Sequence, residues 1–256
     1  MPPRGIFRGK QRPKGFEFAS CAGCNQGTKA ADAAVAFFAR IDRAGEPFDE
    51  AFTKESLKYL LAAESGAPGL ISEIFGDDKV QRTWVRGSSG LTTPAITTSS
   101  GAIAKALLDV FAGKLGMAIY HEHMGQPLPL EGGVQTLWFL NAGLSQKTAE
   151  SMLSILPGLG TLQMGRKSVS GQFDYRWNSD EKGIVAALTH FHSNIHFFTL
   201  AMAELLPFNL PTGLASNNLM RPGGLVEHMP KHPPAILMTS RSDASGLILP
   251  DRFPPQ

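Results

Sequence analysis

Ile103, Leu107, Phe111 and Leu115 stand four residues apart, and Ala104 and Leu108 widen the same stripe. That period predicts an amphipathic helix over 102–120, and such a helix must bury its stripe against a second layer. The material for that layer follows in the chain. Residues 134–140 read as a strand, and 172–177 alternate apolar and polar. Asn178-Ser-Asp-Glu is turn chemistry, and 184–191 and 195–203 are two further apolar strand candidates. Helices packed on a small antiparallel sheet give an α+β fold.

The rest of the chain is organised around that body, without internal repeats. Ala31, Ala34, Val35, Phe38 and Ile41 repeat at helical spacing after Thr28, a good N-cap. Lys29, Asp32, Arg40 and Arg43 face elsewhere on that helix. Residues 48–76 read as two short helices split at Gly66-Ala-Pro68-Gly69, and 85–101 as a long surface loop or irregular strands. A helix over 149–156 is closed by Pro157-Gly158. From Pro207 on, the last 50 residues hold nine of the 18 prolines, which predicts an irregular tail. Three units result: a head at 1–44, an α+β body at 45–205 and a Pro-rich tail at 206–256.

Composition narrows the function classes. With 43% hydrophobic residues in 256, the chain can bury a sizeable core without staples. No run approaches the roughly 18 apolar residues of a membrane span. The first 15 residues, MPPRGIFRGKQRPKG, hold no apolar segment of the secretory kind. Two cysteines three residues apart make no disulfide framework, and the expectation is a soluble, cytoplasmic protein. There is no GxGxxG, no GxxxxGKS or GxxxxGKT, and no GxSxG, so a nucleotide cofactor and an esterase-type serine are not supported.

Charge is uneven. Arg4, Arg8, Lys10, Arg12, Lys14 and Lys29 face a single acid, Glu17, in the first 30 residues, while the remainder carries 18 basic and 21 acidic groups. A cationic head on a mildly acidic body fits an anionic partner, and equally fits a frayed, solvated terminus. Phe16-Glu-Phe-Ala19 alternates as in a hairpin arm. Cys21-Ala-Gly-Cys24 follows and admits three readings. One is a redox dithiol, which favours a strand before it. The second is half of a tetrahedral zinc site, which takes four ligands. The third is a pair of small thiols in a tight turn.

The segment Pro2-Pro3-Arg4-Gly-Ile-Phe7, Arg12-Pro13, Phe16-Glu-Phe-Ala-Ser-Cys21-Ala-Gly-Cys24-Asn25-Gln-Gly-Thr28 and Asp32 resembles the core of HNH endonucleases. It is most similar to the bacterial and phage branch that runs EHIPP or EHVPP, a loop with RP, a strand, then CxxCN and a helix with an early acid. Tyr120-His-Glu-His-Met-Gly-Gln-Pro-Leu-Pro129, Trp138-Phe-Leu-Asn141 and Phe173-Asp-Tyr-Arg176 look like segments that follow this core in the same branch. The resemblance implies a ββα head and hydrolysis of DNA phosphodiesters with a divalent cation such as Mg²⁺. It implies Cys21 and Cys24 as ligands of a structural Zn²⁺. Asn25 is implied as a catalytic or metal-orienting residue, and Thr28 and Asp32 as positioning groups. Arg4, Arg8, Lys10, Arg12 and Lys14 would contact phosphates. It also places the general-base His, its acidic neighbour and the first zinc pair ahead of residue 1, and gives the middle Asn no counterpart near Gly15 or Phe16. Two expectations follow. Either Met1 stands at the Ile or Val of that motif through a misassigned start, or the product is a truncated, inactive one. The alternative is a non-catalytic nucleic-acid-binding or regulatory interaction protein.

Seven histidines could substitute for the base. His190, His192 and His196 would share one face of a straight strand, a metal face or simply the polar side opposite Phe191, Ile195 and Phe197. His121 and His123 fall at a helix end, where capping suits them. His228 and His232 lie in the Pro-rich tail.

Overall fold

The computed structural model describes residues 2–7, 9, 11–14, 20–40, 50–76, 80–86, 92–97, 101–140, 162–180, 182–192, 194–205 and 219–231. Its axis is the helix the apolar stripe demands, α5 (Ala102–Met124), four residues longer than the pattern. Gly101 precedes it and offers no capping side chain. The exposed N–H groups of Ile103 and Ala104 donate instead to the two carboxylate oxygens of Glu73, at 2.8 and 2.7 Å. A carboxylate at that end also meets the positive pole of the helix. Glu73 belongs to α4 (Leu70–Phe75), whose own start is held by Glu64 of α3 (Glu50–Gly66) through Gly69 N–H and Ile71 N–H. At the far end Gly125 takes φ +71° and returns its N–H to His121 carbonyl, a left-handed stop that suits glycine.

The stripe accounts for only part of what α5 buries. Val110, Ala112, Ala118, Ile119 and Tyr120 are buried as well as Leu107, Phe111 and Leu115. The helix is a central one, packed by α2 (Lys29–Phe38), by the sheet and by the segment 219–231. Each of its large apolar side chains contributes about 1.5–3 kcal/mol by leaving water.

The sheet has six antiparallel strands: β3 (Gly133–Leu140), β4 (Gln163–Met164), β5 (Phe173–Ser179), β6 (Ile184–Phe191), β7 (Ile195–Met202) and β8 (Leu219–Met220), in the order β4-β5-β6-β7-β3-β8. The α+β class is therefore the observed one. Phe111 packs on Phe191 and Phe197, with ring centroids 5.9 and 5.2 Å away, which fixes the inner face. Asp180 shapes the β5–β6 turn by accepting the N–H groups of Lys182, Gly183 and Ile184. Where the sequence suggests a loop or irregular strands, β1 (Gln81–Arg86) and β2 (Thr92–Thr97) form a regular antiparallel pair. The expected helix at 149–156 lies outside the described residues, as does the alternating arm at 16–19.

One expectation is corrected. Arg40, read as facing away from the core, is 1% exposed. α2 ends at Phe38, so Arg40 leaves the helical wheel and turns inward. It donates to Glu55 at 2.6 Å and to the Phe7 carbonyl at 3.1 Å, and lies 5.1 Å from the centre of the Tyr59 ring. Arg4–Ile6 is a single 3-10 turn with Ile6 and Phe7 buried. Those two side chains, α2, α5 and the sheet share one apolar cluster. Residues 219–231 carry only β8 and a 3-10 turn at Leu225–His228, as an irregular tail should, yet Met220 and Leu225 are buried in that same cluster. Residues 206–218 and 232–256 lie outside the described residues. Among the described residues no helix is long and apolar enough to cross a membrane.

Candidate functional site

The Cys-x-x-Cys segment opens a short helix, α1 (Ala22–Gly27). Cys21 is its N-cap: its Sγ accepts the Cys24 N–H at 3.2 Å, and its carbonyl accepts the Asn25 N–H. Cys21 is exposed and Cys24 half-buried, both as free thiols. The hydrogen bonds from Cys24 lower the Cys21 thiol below its ordinary value. The same contact, with burial, raises Cys24. Thr28 joins α1 to α2, but not as the capping residue its sequence position suggests. Its φ of −112° and ψ of 15° are not the extended geometry of a cap, and its hydroxyl donates backwards to the Cys24 carbonyl at 2.7 Å. The threonine therefore ties the thiol turn to the start of α2.

One turn into α2, Asp32 faces α5. Lys114 Nζ donates to both of its carboxylate oxygens, at 2.6 and 2.8 Å. Burial raises the Asp32 carboxyl and the ammonium opposes that rise. The ion pair is mostly shielded, so it crosslinks helices that are 82 residues apart in sequence.

These groups border one cleft of about 670 Å³ between α1, α2, the C-terminal half of α5 and the 219–231 segment. Arg12, Cys21, Cys24, Asn25 and Asp32, the residues singled out in sequence, line it together. Thr28 stands behind it, buried. Arg4 and Lys14 are exposed and lie off the lining. Arg8 and Lys10 lie outside the described residues.

Sequence reasoning missed the wall contributed by α5. Lys114, Met117 and His121 follow one another at helical spacing and reach the cleft side by side. That spacing was the available signal, but in sequence it merges with the apolar pattern of a helix buried on most of its circumference. His121 is thus at the cleft rather than serving only as a helix-end cation. His123 serves neither purpose. Its ring stacks on Trp177 at 3.4 Å, its Nε2 lies 3.1 Å from the Tyr175 hydroxyl, and burial lowers it to about 4.

The three clustered histidines separate. His192 sits in the β6–β7 turn at φ +51°, off the strand face, with Nε2–H donating to the Ile6 carbonyl at 2.6 Å. His190 and His196 pair across β6 and β7, and His190 meets Asp174 at 2.7 Å. Burial lowers His196 to about 4. The opposed side chains Phe191, Ile195 and Phe197 are fully buried, as a polar face requires. His228 lies in the last 3-10 turn, and His232 is outside the described residues.

The metal sites implied by the resemblance are not completed by the described residues. No group of three or more His, Cys, Asp or Glu is gathered there in a way that holds a metal ion. The two thiols supply half of what zinc takes, and both Asp32 oxygens already accept from Lys114. What the cleft offers on its own is a guanidinium, an amide, an imidazole and two thiols above an apolar floor. No protein-family model, curated protein or solved structure matches the chain.

Proposed function

We propose that the cleft binds the phosphodiester backbone of a nucleic acid, as the DNA-facing part of an HNH-endonuclease-like unit. The observation that carries this reading is convergence. Arg12, Cys21, Cys24, Asn25 and Asp32 were singled out by motif alone, and they line one cleft beside Lys114 and His121. Arg12 at that cleft, with Arg4 and Lys14 exposed nearby in sequence, supplies the cationic character that phosphate contacts need. Hydrolysis in this reading would use Mg²⁺ as the divalent ion, and Cys21 and Cys24 would supply two of the four ligands that a structural Zn²⁺ takes.

The test pairs binding with cleavage. Fluorescence anisotropy of a labelled DNA, repeated over a salt series, should give a linear loss of log affinity for the 256-residue chain. Arg12→Ala should flatten that slope by about one unit. Plasmid nicking with Mg²⁺ or Mn²⁺ and the zinc content of the same preparation separate cleavage from binding alone. Absence of DNA binding at low salt, or a salt slope indifferent to Arg12, overturns the reading.

A further inference from the structure

We infer that the cleft receives a single unstacked nucleotide, so that the preferred nucleic acid is single-stranded or locally opened rather than a smooth duplex; this rests on the nucleic-acid reading above. The cleft has two chemistries. Its edge is polar, with Arg12 and Asn25, and its floor is apolar, with Met117, Leu128 and Leu225. Pro2, Pro3, Pro127 and Pro222 also line it. A groove that only tracks phosphates needs cations and has no use for such a floor. Lys114, on the α5 wall, is already paired with both oxygens of Asp32. The interior beside that pair suits a neutral, flat, partly apolar group with a hydrogen-bonding edge.

A nucleobase is that group. Its faces favour apolar contact, and its edge needs partners that both donate and accept, which an asparagine amide provides. The Asn25 side chain is exposed at the cleft, on α1. At about 670 Å³ the space is far larger than one phosphate requires and falls within the range of about 300–1,000 Å³ typical of small-molecule pockets. Bases stacked inside a duplex cannot reach a concave floor of this kind, whereas one extruded or unpaired base can.

The experiment uses the full chain and three labelled oligonucleotides of equal length at low salt: a single strand with 2-aminopurine at its centre, the matching duplex, and a single strand with a central abasic site. The expected result is binding of the 2-aminopurine strand about tenfold tighter than either of the others, with a change in its emission on binding. Asn25→Ala, at an exposed position, should remove most of that preference, bringing the 2-aminopurine strand down to the affinity of the abasic one. Met117→Gln, in the floor, should act in the same direction. Equal affinity for all three oligonucleotides overturns this inference and leaves phosphate binding standing. No binding to any of them overturns both.

Discussion

Asp109 is a carboxylate with no exposure at all, placed on the central helix, and it survives there because its charge is answered. Lys105 Nζ lies 2.7 Å from one oxygen, and Trp138 Nε1 donates to the other at 3.1 Å, with the Thr136 hydroxyl at 3.5 Å. Removing the carboxylate leaves the indole N–H and the hydroxyl buried without their acceptor. Asp109→Ala should therefore cost about 1–3 kcal/mol in urea unfolding. Lys105→Met should cost at least as much, because the carboxylate it leaves behind has no exposed surface for water to reach. A negligible loss for Lys105→Met would mean that the indole bond, not the ion pair, holds the carboxylate. The histidines carry a different prediction at the same scale. Burial holds His123 and His196 near 4, below the ordinary 6.5. The unfolded chain thus takes up their protons first as pH falls. The native state keeps its full margin above pH 6.5 and loses it progressively between 6.5 and 4. His123→Phe, which preserves a ring over Trp177, combined with His196→Gln, should flatten the urea midpoint across that window relative to the unsubstituted chain. A curve that keeps its slope would place the acid sensitivity elsewhere.

At the scale of elements, α5 is held so close to its neighbours that two of its glycines have no room for a side chain. A Cβ on Gly116 would stand 2.5 Å from Val134 Cγ1 and 3.1 Å from Thr199 Cβ, and one on Gly113 would meet Met220 at 2.7 Å. Alanine gains about 1 kcal/mol over glycine in a helix, while overpacking loses about 1–3 kcal/mol. Gly116→Ala should thus lower the melting temperature. Gly125→Ala should lower it too, for another reason: φ is +71° there and nothing lies within 4 Å of a Cβ, so backbone strain acts alone. If Gly116→Ala raised the melting temperature, the sheet would be free to step back from the helix. These contacts also mark what the sequence disclosed. α5, β3, β5, β6 and β7 were legible because burial on one or both faces writes a period of 3.6 or 2 into neighbouring residues. The break between α3 and α4 was legible in Gly66 to Gly69 for the same local reason. The cap on α5 was not, because Gly101 announces no cap and its carboxylate arrives from Glu73, on another helix. Arg40 was misjudged because a helical wheel holds only while the helix lasts, and α2 stops two residues short of it. The candidate site divides likewise: α1 and α2 carried a motif, whereas Lys114, Met117 and His121 acquire meaning only once α5 is laid beside them.

The whole molecule turns on how its basic head is fastened. Three unrelated contacts converge on residues 6 and 7. His192 binds the Ile6 carbonyl, Arg40 binds the Phe7 carbonyl, and the Phe7 ring meets Phe173 edge-on at 6.3 Å. Through them the sheet, α2 and α3 grip one short segment, and Arg12 is delivered to the cleft instead of trailing in solvent. A frayed leader and an anchored one differ in a measurable way. His192→Asn tolerates the left-handed backbone at φ +51° but is too short to reach Ile6. It should speed tryptic cleavage after Arg12 or Lys14 and weaken the proposed DNA binding several-fold, while the melting temperature falls by only a few degrees. Arg40→Met should loosen the head as well, but with a large loss of global stability, since it leaves Glu55 and a carbonyl without their buried cation. The two variants separate anchoring from folding. If His192→Asn left both cleavage and binding unchanged, the head's charge would act at a distance, and the cleft would owe nothing to the clasp at Ile6.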